Sequence, residues 1–458
     1  MKRFPLLLLL LALLLSGCGE REIPAAMGEA TSTTSAERLL TLTPTRRDVS
    51  TPQPSEPTIT TTPTKTATPA ATPTVTITPL PTYPPETRVR MQCLDIASGL
   101  PNGQLSSGIV VFDNGSLLDI STSQILSMSD SILFNAIVSS DKTLIAFEHV
   151  ILNDQHRIAS DELVVATADG LWLKTISWEE DWLGLLQWTE DQRLLLAYDK
   201  PIATADGYPA QVSYLVLDPF TGERQVIYPD YPQFLDLKSA PGWWGVVYDP
   251  LLTRAVYGWR YMQGDEEMYT LALWDMEKQQ LITTLEDFYP YYVVFKEETP
   301  LPRWSLDGAF LAFRGQFVTS LTDERATFEL YRVSPEGEVE QLTYLGLSTN
   351  RIPSRMFDWS PDGRYIAMYL EDWSWEHPYK RVALLDTETL QVTDYCIPVG
   401  KQQLYQPPIW SPDSTQFLVV DRHEENHRRV ILVDIVQGFA AVIAEDMEPV
   451  GWMLSPDE

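Results

Sequence analysis

Residues 423–427 read His-Glu-Glu-Asn-His, a match to H-E-x-x-H. On a helix that spacing sets two imidazoles on one face for zinc and places the first glutamate to activate a metal-bound water. His423, Glu424 and His427 have that chemistry only if the segment is helical. It lies instead between Gln-Phe-Leu-Val-Val (416–420) and Arg-Val-Ile-Leu-Val-Asp (429–434), two short runs rich in β-branched residues. Such runs read as paired strands, which makes the motif a hairpin loop. There the histidines lose their shared face and Glu424 its aim. Arg422, Arg428 and Arg429 complete a solvated, charged loop. No metal site is expected here.

The other matches to catalytic patterns are equally local. Ser-Ser-Asp-Lys (139–142) fits S-x-x-K but falls on a tight turn, and no G-x-S-x-G is present. No glycine-rich loop follows a strand and opens a helix, so no phosphate cradle is predicted. A carboxylate pair of glycosidase type stays open among the 63 acidic residues. The expectation is a protein without catalysis and without a cofactor.

The elements that must position any site repeat along the chain. Trp-Ser-Pro-Asp-Gly begins at Trp359, Trp-Ser-Leu-Asp-Gly at Trp304 and Trp-Ser-Pro-Asp-Ser at Trp410. Looser copies start at Trp188, Val138 and Val247, and the chain reaches Trp-Met-Leu-Ser-Pro-Asp at 452–457. Aligned on their aspartates, Asp141, Asp191, Asp249, Asp307, Asp362, Asp413 and Asp457, the units recur about every fifty residues. Pro361 presets φ and Gly363 supplies the left-handed residue of a turn that closes a hairpin. Four short strands fit in each unit, and no run of ten or more residues carries a helical stripe.

That pattern predicts an all-β fold, a β-propeller of four-stranded blades over residues 89–458. The terminal Val-Gly-Trp-Met-Leu-Ser-Pro-Asp-Glu supplies only a first strand. The strands "VRMQCLDI", "GIVVFDN" and "SLLDISTS" near residue 90 onward lack one. Joining them closes seven blades and removes two unpaired edges; six blades with flanking strands is the alternative. The W-S-P-D-G units resemble the WD40-like repeats of the TolB family of propellers over roughly residues 130–458. The resemblance implies the propeller fold. The family carries an α/β domain before its propeller and no lipid anchor, features that this sequence replaces with others.

The chain opens with Lys2 and Arg3, ten apolar residues (6–15) and Leu15-Ser16-Gly17-Cys18. This reads as an export signal over residues 1–17 ending in a lipobox, with Cys18 as the lipidated residue. Residues 18–88 form a linker that is Thr/Pro-rich from 51 to 86 and has too few large apolar side chains to bury a core. In the polyproline II form the Thr/Pro stretch reaches on the order of 110 Å. The expected location is extracytoplasmic, lipid-anchored to a bacterial membrane. Two cysteines remain, Cys93 and Cys396; on separate blades they are expected to stay unbonded. The net charge of −30 repels nucleic acid and anionic lipid head groups, which excludes nucleic-acid binding.

Long aromatic loops are expected on the face opposite the Trp-Ser-Pro-Asp-Gly turns. Trp373, Trp375, Tyr289, Tyr291, Tyr292, Trp243 and Trp244 are the candidate contacts. Exposed rings beside acids suit a protein anchor or a sugar platform. Two functions follow: a non-catalytic module that holds another envelope or surface protein, and a propeller that binds or processes a glycan.

Overall fold

A computed structural model describes residues 89–456, apart from 101–106, 129–131, 153–157, 178–182, 200–211, 228–245, 264–265, 290–301, 318–327, 346–350, 373–379, 401–405 and 425–426. The described elements are strands, and they form seven four-stranded blades in a ring. Blade one begins at Leu133–Val138, blade two at Leu183–Trp188, blade three at Val246–Tyr248 and blade four at Arg303–Trp304. Blades five and six begin at Arg351–Trp359 and Ile409–Trp410. Blade seven joins Pro449–Met453 to Ile109–Phe112, Ser116–Asp119 and Gln124–Ser127. Its closing register is antiparallel, with Val110 opposite Trp452 and Val111 opposite Gly451. Gly451 is required there, because a side chain would overlap Val138 of blade one.

The core follows from the blade geometry. A sheet buried on both faces packs against its neighbours, so the apolar residues gather between blades. Seven clusters are found, one at each interface of adjacent blades. Between blades four and five, for example, Ala312 and Leu330 meet Phe357, Trp359, Ile366 and Met368. Blades three and four are also bridged by pairing, Phe288 opposite Phe317 and Tyr289 opposite Gln316.

The repeat explains how each innermost strand is held. Trp188, Trp304, Trp359 and Trp410 each donate their indole N–H to a backbone carbonyl of the preceding blade: Ile137, Val247, Arg303 and Asp358. In the turn after the first strand of these blades, and of blade one where Val138 takes the tryptophan place, the hydroxyl donates to the aspartate two residues on. Ser360 to Asp362 spans 2.5 Å, and Ser139–Asp141, Ser305–Asp307 and Ser411–Asp413 span 2.6 Å. The same hydroxyl accepts the amide of the next strand, Tyr365 N at 2.8 Å in blade five. Gly363 sits at φ 71° and Gly308 at 67°, in the left-handed region where only glycine is unstrained. Lys142, Gln192, Leu252 and Ser414 hold the matching positions elsewhere at φ 58° to 63°.

Blade three departs from the expected alignment. Asp249 follows Tyr248, so it occupies the serine place of the repeat rather than the aspartate place. Its buried carboxylate accepts Thr253 N at 2.7 Å, Arg254 N at 2.9 Å and the Thr253 hydroxyl at 2.7 Å. One residue thus does the work that a serine and an aspartate share in the other turns. Matching aspartate to aspartate alone misplaced it by two positions.

The start of the domain also differs from expectation. Val89–Met91 does not enter the closing blade. It adds as a fifth, parallel strand to the outer edge of blade five, Val89 opposite Val392. Ile96–Ala97 does the same on blade six, Ile96 opposite Ala440. Between them Gln92 N donates to Asp394 O and Leu94 N to Tyr395 O. This strap brings Cys93 beside Cys396, and the two form a disulfide with Cα atoms 4.7 Å apart across 303 residues of sequence. The expectation of unbonded cysteines fails because it placed both on blades; Cys93 instead belongs to a strand laid against the blade of Cys396.

Candidate functional site

Two polar regions stand out, one at the turn end of the ring axis and one at the hairpin end of blades four to seven. At the axis the residue preceding each repeat tryptophan is Gln187, Arg303, Asp358, Ile409 or Gly451. Lys142, in the left-handed position of the blade-one turn, is held through its carbonyl by Leu454 N. Lys142 and Asp358 attract one another although blades one and five are not neighbours. In a closed ring, non-adjacent blades approach one another only around the axis. Arg303 of blade four also faces the Asp358 carboxylate. Burial pushes the Asp358 carboxyl above the usual carboxylate range, against the pull of Arg303 and Lys142. Burial likewise lowers the Lys142 ammonium, opposed by Asp358 and Asp141. All three residues are half-buried.

At the hairpin end charges come in bonded sets. Asp394 accepts Arg351 at 2.6 Å and Arg381 at 2.9 Å. Lys380 meets Glu371 at 2.8 Å; burial works to raise that carboxyl, but Lys380 and Arg314 outweigh it and hold it low. Glu448 accepts Arg422 at 2.7 Å and Arg428 at 3.0 Å, and Arg429 is paired with Asp421. Glu148 accepts Asn135 at 2.9 Å and Leu185 N at 3.2 Å, which ties blade one to blade two. These carboxylates serve the packing of the blades.

The H-E-x-x-H segment is a hairpin. Gln416–Glu424 and His427–Asp434 are antiparallel strands with Glu424 opposite His427. His427 is exposed, and its Nδ1 lies 3.0 Å from Asp446. Among the described residues no cluster of potential metal ligands occurs. Ser139 to Lys142 is the turn between the first two strands of blade one, as its spacing predicts.

Of the aromatic candidates, Trp373, Trp375, Tyr291, Tyr292, Trp243 and Trp244 lie outside the described residues. Tyr289 ends the strand Gln280–Tyr289, which continues to pair with blade four. The residues that sequence reading missed are Lys142, Arg303 and Asp358. The signal was present: Arg303 and Asp358 share one register, each just before a repeat tryptophan, and Lys142 stands where two of the other turns carry glycine.

No protein-family model matches the sequence, and no curated protein does. Solved structures do. TolB from Acinetobacter baumannii is 16% identical with a TM-score of 0.41, over 77% of this chain and 81% of its own. An oligogalacturonate lyase in complex with manganese is 13% identical with a TM-score of 0.45, over 75% and 85%. The β-propeller domain of the Trilobed protease from Pyrococcus furiosus is 13% identical with a TM-score of 0.41, over 76% and 94%. By its own geometry this chain is a seven-bladed β-propeller whose N-terminal strap is tied to blade five by a disulfide.

Proposed function

We propose that this protein is a lipid-anchored, extracytoplasmic propeller that holds another envelope protein on its hairpin-end face and performs no catalysis. The observation that carries the location is the Cys93–Cys396 disulfide. Such bonds persist in oxidising compartments and are rare in reducing ones. The lipobox at Cys18 and the Thr/Pro linker agree with a domain displayed away from a bilayer. Non-catalytic holding is favoured because the buried carboxylates Asp394, Asp421 and Glu148 are engaged in ion pairs and hydrogen bonds between strands.

The test is capture from native envelope with the full-length chain, beside a Trp373→Ala/Trp375→Ala double variant. A protein retained by the wild type and lost by the variant supports the module and names its partner. Retention of glycan without protein moves the reading to carbohydrate binding. Equal retention by both forms removes this face from the proposal.

A further inference from the structure

The strap across the outer edges of blades five and six is held by little besides its disulfide. Val89 to Met91 pair with blade five, and Ile96 and Ala97 with blade six. Two amide bonds, from Gln92 and Leu94, lie between them. Val89, Leu94 and Ile96 pack on the blades but are only partly buried, and Met91 is 62% exposed. A strand so short, with so few buried apolar contacts, belongs to the part of a fold that opens first.

The two halves of the bond differ. Cys93 is exposed and Cys396 half-buried. Cys396 sits at φ 61°; among the described residues only it and Asn135 combine a side chain with a positive φ inside a strand. The strand is irregular there, its register shifting between Asp394 opposite Ala383 and Pro398 opposite Arg381. Tyr395 and Ile397 on either side are buried in the cluster between blades five and six. The Cys396 amide donates to the Asp394 carboxylate at 2.8 Å, which Arg351 and Arg381 hold in turn. Cys396 is thus fixed to its blade, and the strap is the part free to move. A left-handed residue other than glycine, placed on an irregularity inside a strand, is the kind of strained position found at switches.

We infer that Cys93–Cys396 is a redox latch: a thiol reductant opens it in the folded protein and releases the strap from both blades. The reductant's thiolate attacks the accessible Cys93 sulfur, forms a mixed disulfide with it and expels Cys396 as a thiolate, which takes up a proton. A second thiol attacks the sulfur of the first and leaves Cys93 as a thiol. Two thiols become one disulfide, and the protein gains the two electrons and two protons that they give up. Opening uncovers Gln391–Val399 and Phe439–Glu445, whose outer edges then lie open to pairing with an extended chain. In an oxidising compartment the latch rests closed and opens only where a thiol is supplied.

The test uses glutathione on the full-length protein, with iodoacetamide to trap free thiols. Peptide mass spectrometry is expected to find glutathione on Cys93 and the alkyl group on Cys396, in excess of the reverse by about tenfold or more. The rate should rise in proportion to glutathione and stay unchanged in urea below the unfolding transition, because no unfolding precedes attack. Hydrogen exchange across 89–97 is expected to quicken by about tenfold or more in the reduced protein, and to return on reoxidation, while the turn at 360–363 stays protected. Cys93→Ser should show the same exchange without reductant. Reduction that waits on unfolding, glutathione found chiefly on Cys396, or unchanged exchange in the reduced strap overturns the latch and leaves the disulfide as a permanent staple.

Discussion

The inner and outer edges of blade five are held by opposite means. At the inner edge Trp359, Ser360 and Asp362 repeat a scheme found in other blades: an indole bond to the preceding blade, then a hydroxyl–carboxylate turn. At the outer edge a strap holds the blade instead, as it also does on blade six. A parallel strand of three residues, two further amide bonds and one disulfide join residues more than three hundred positions apart. The first solution is local and can be copied along the chain. The second is non-local, and it covers edges that an isolated blade leaves open to pairing.

Substitutions at the two edges sharpen that contrast. Trp359→Ala removes a ring that is only 3% exposed and the bond it donates, and is expected to cost about 3–5 kcal/mol, read by thermal or denaturant unfolding. A similar loss at the exposed strap would break the contrast. Replacing Cys93 and Cys396 by serine is expected to cost roughly 2–4 kcal/mol. Hydrogen exchange should then rise across 89–97 and the edge strands of blades five and six, while the Trp-Ser-Pro-Asp-Gly turns stay protected. Exchange that rises evenly over all blades would mean that the strap governs the whole ring.

Ser360→Ala removes a buried hydroxyl that accepts the Tyr365 amide and is expected to cost about 1–3 kcal/mol. Leu252→Gly sets two effects against each other. The leucine is held at φ 58°, but it also packs against the cluster between blades two and three, so its replacement is expected to change stability by less than about 1 kcal/mol, the relieved strain offsetting lost packing.

The pH dependence at the axis has a definite sign. The folded state raises the Asp358 carboxyl, so it favours the protonated form. That contribution is complete below the unfolded carboxylate value near 3.8 and is lost as pH rises through the folded value. Asp358→Asn is therefore expected to be more stable than wild type at neutral pH, with the difference vanishing in acid. A constant difference across pH would mean that folding does not shift the Asp358 carboxyl.

The sequence by itself determined the blade. Trp-Ser-Pro-Asp-Gly specifies its own turn, because proline, glycine and the hydroxyl–carboxylate pair act within six residues, and the spacing of the copies set seven blades. It also placed His423 and His427 on a hairpin, since strand patterning on both sides is a local property. Tertiary structure alone decided what lies side by side. Asp249 took the serine place because its carboxylate could satisfy two amides at once, which aspartate-to-aspartate matching does not reveal. The strand "VRMQCLDI" was legible as a strand, but which edge it joins depends on where the ring leaves an edge free, and the Cys93–Cys396 bond follows from that choice. Lys142 and Asp358 come within electrostatic reach only because ring closure brings non-adjacent blades around one axis, which no local pattern of residues carries.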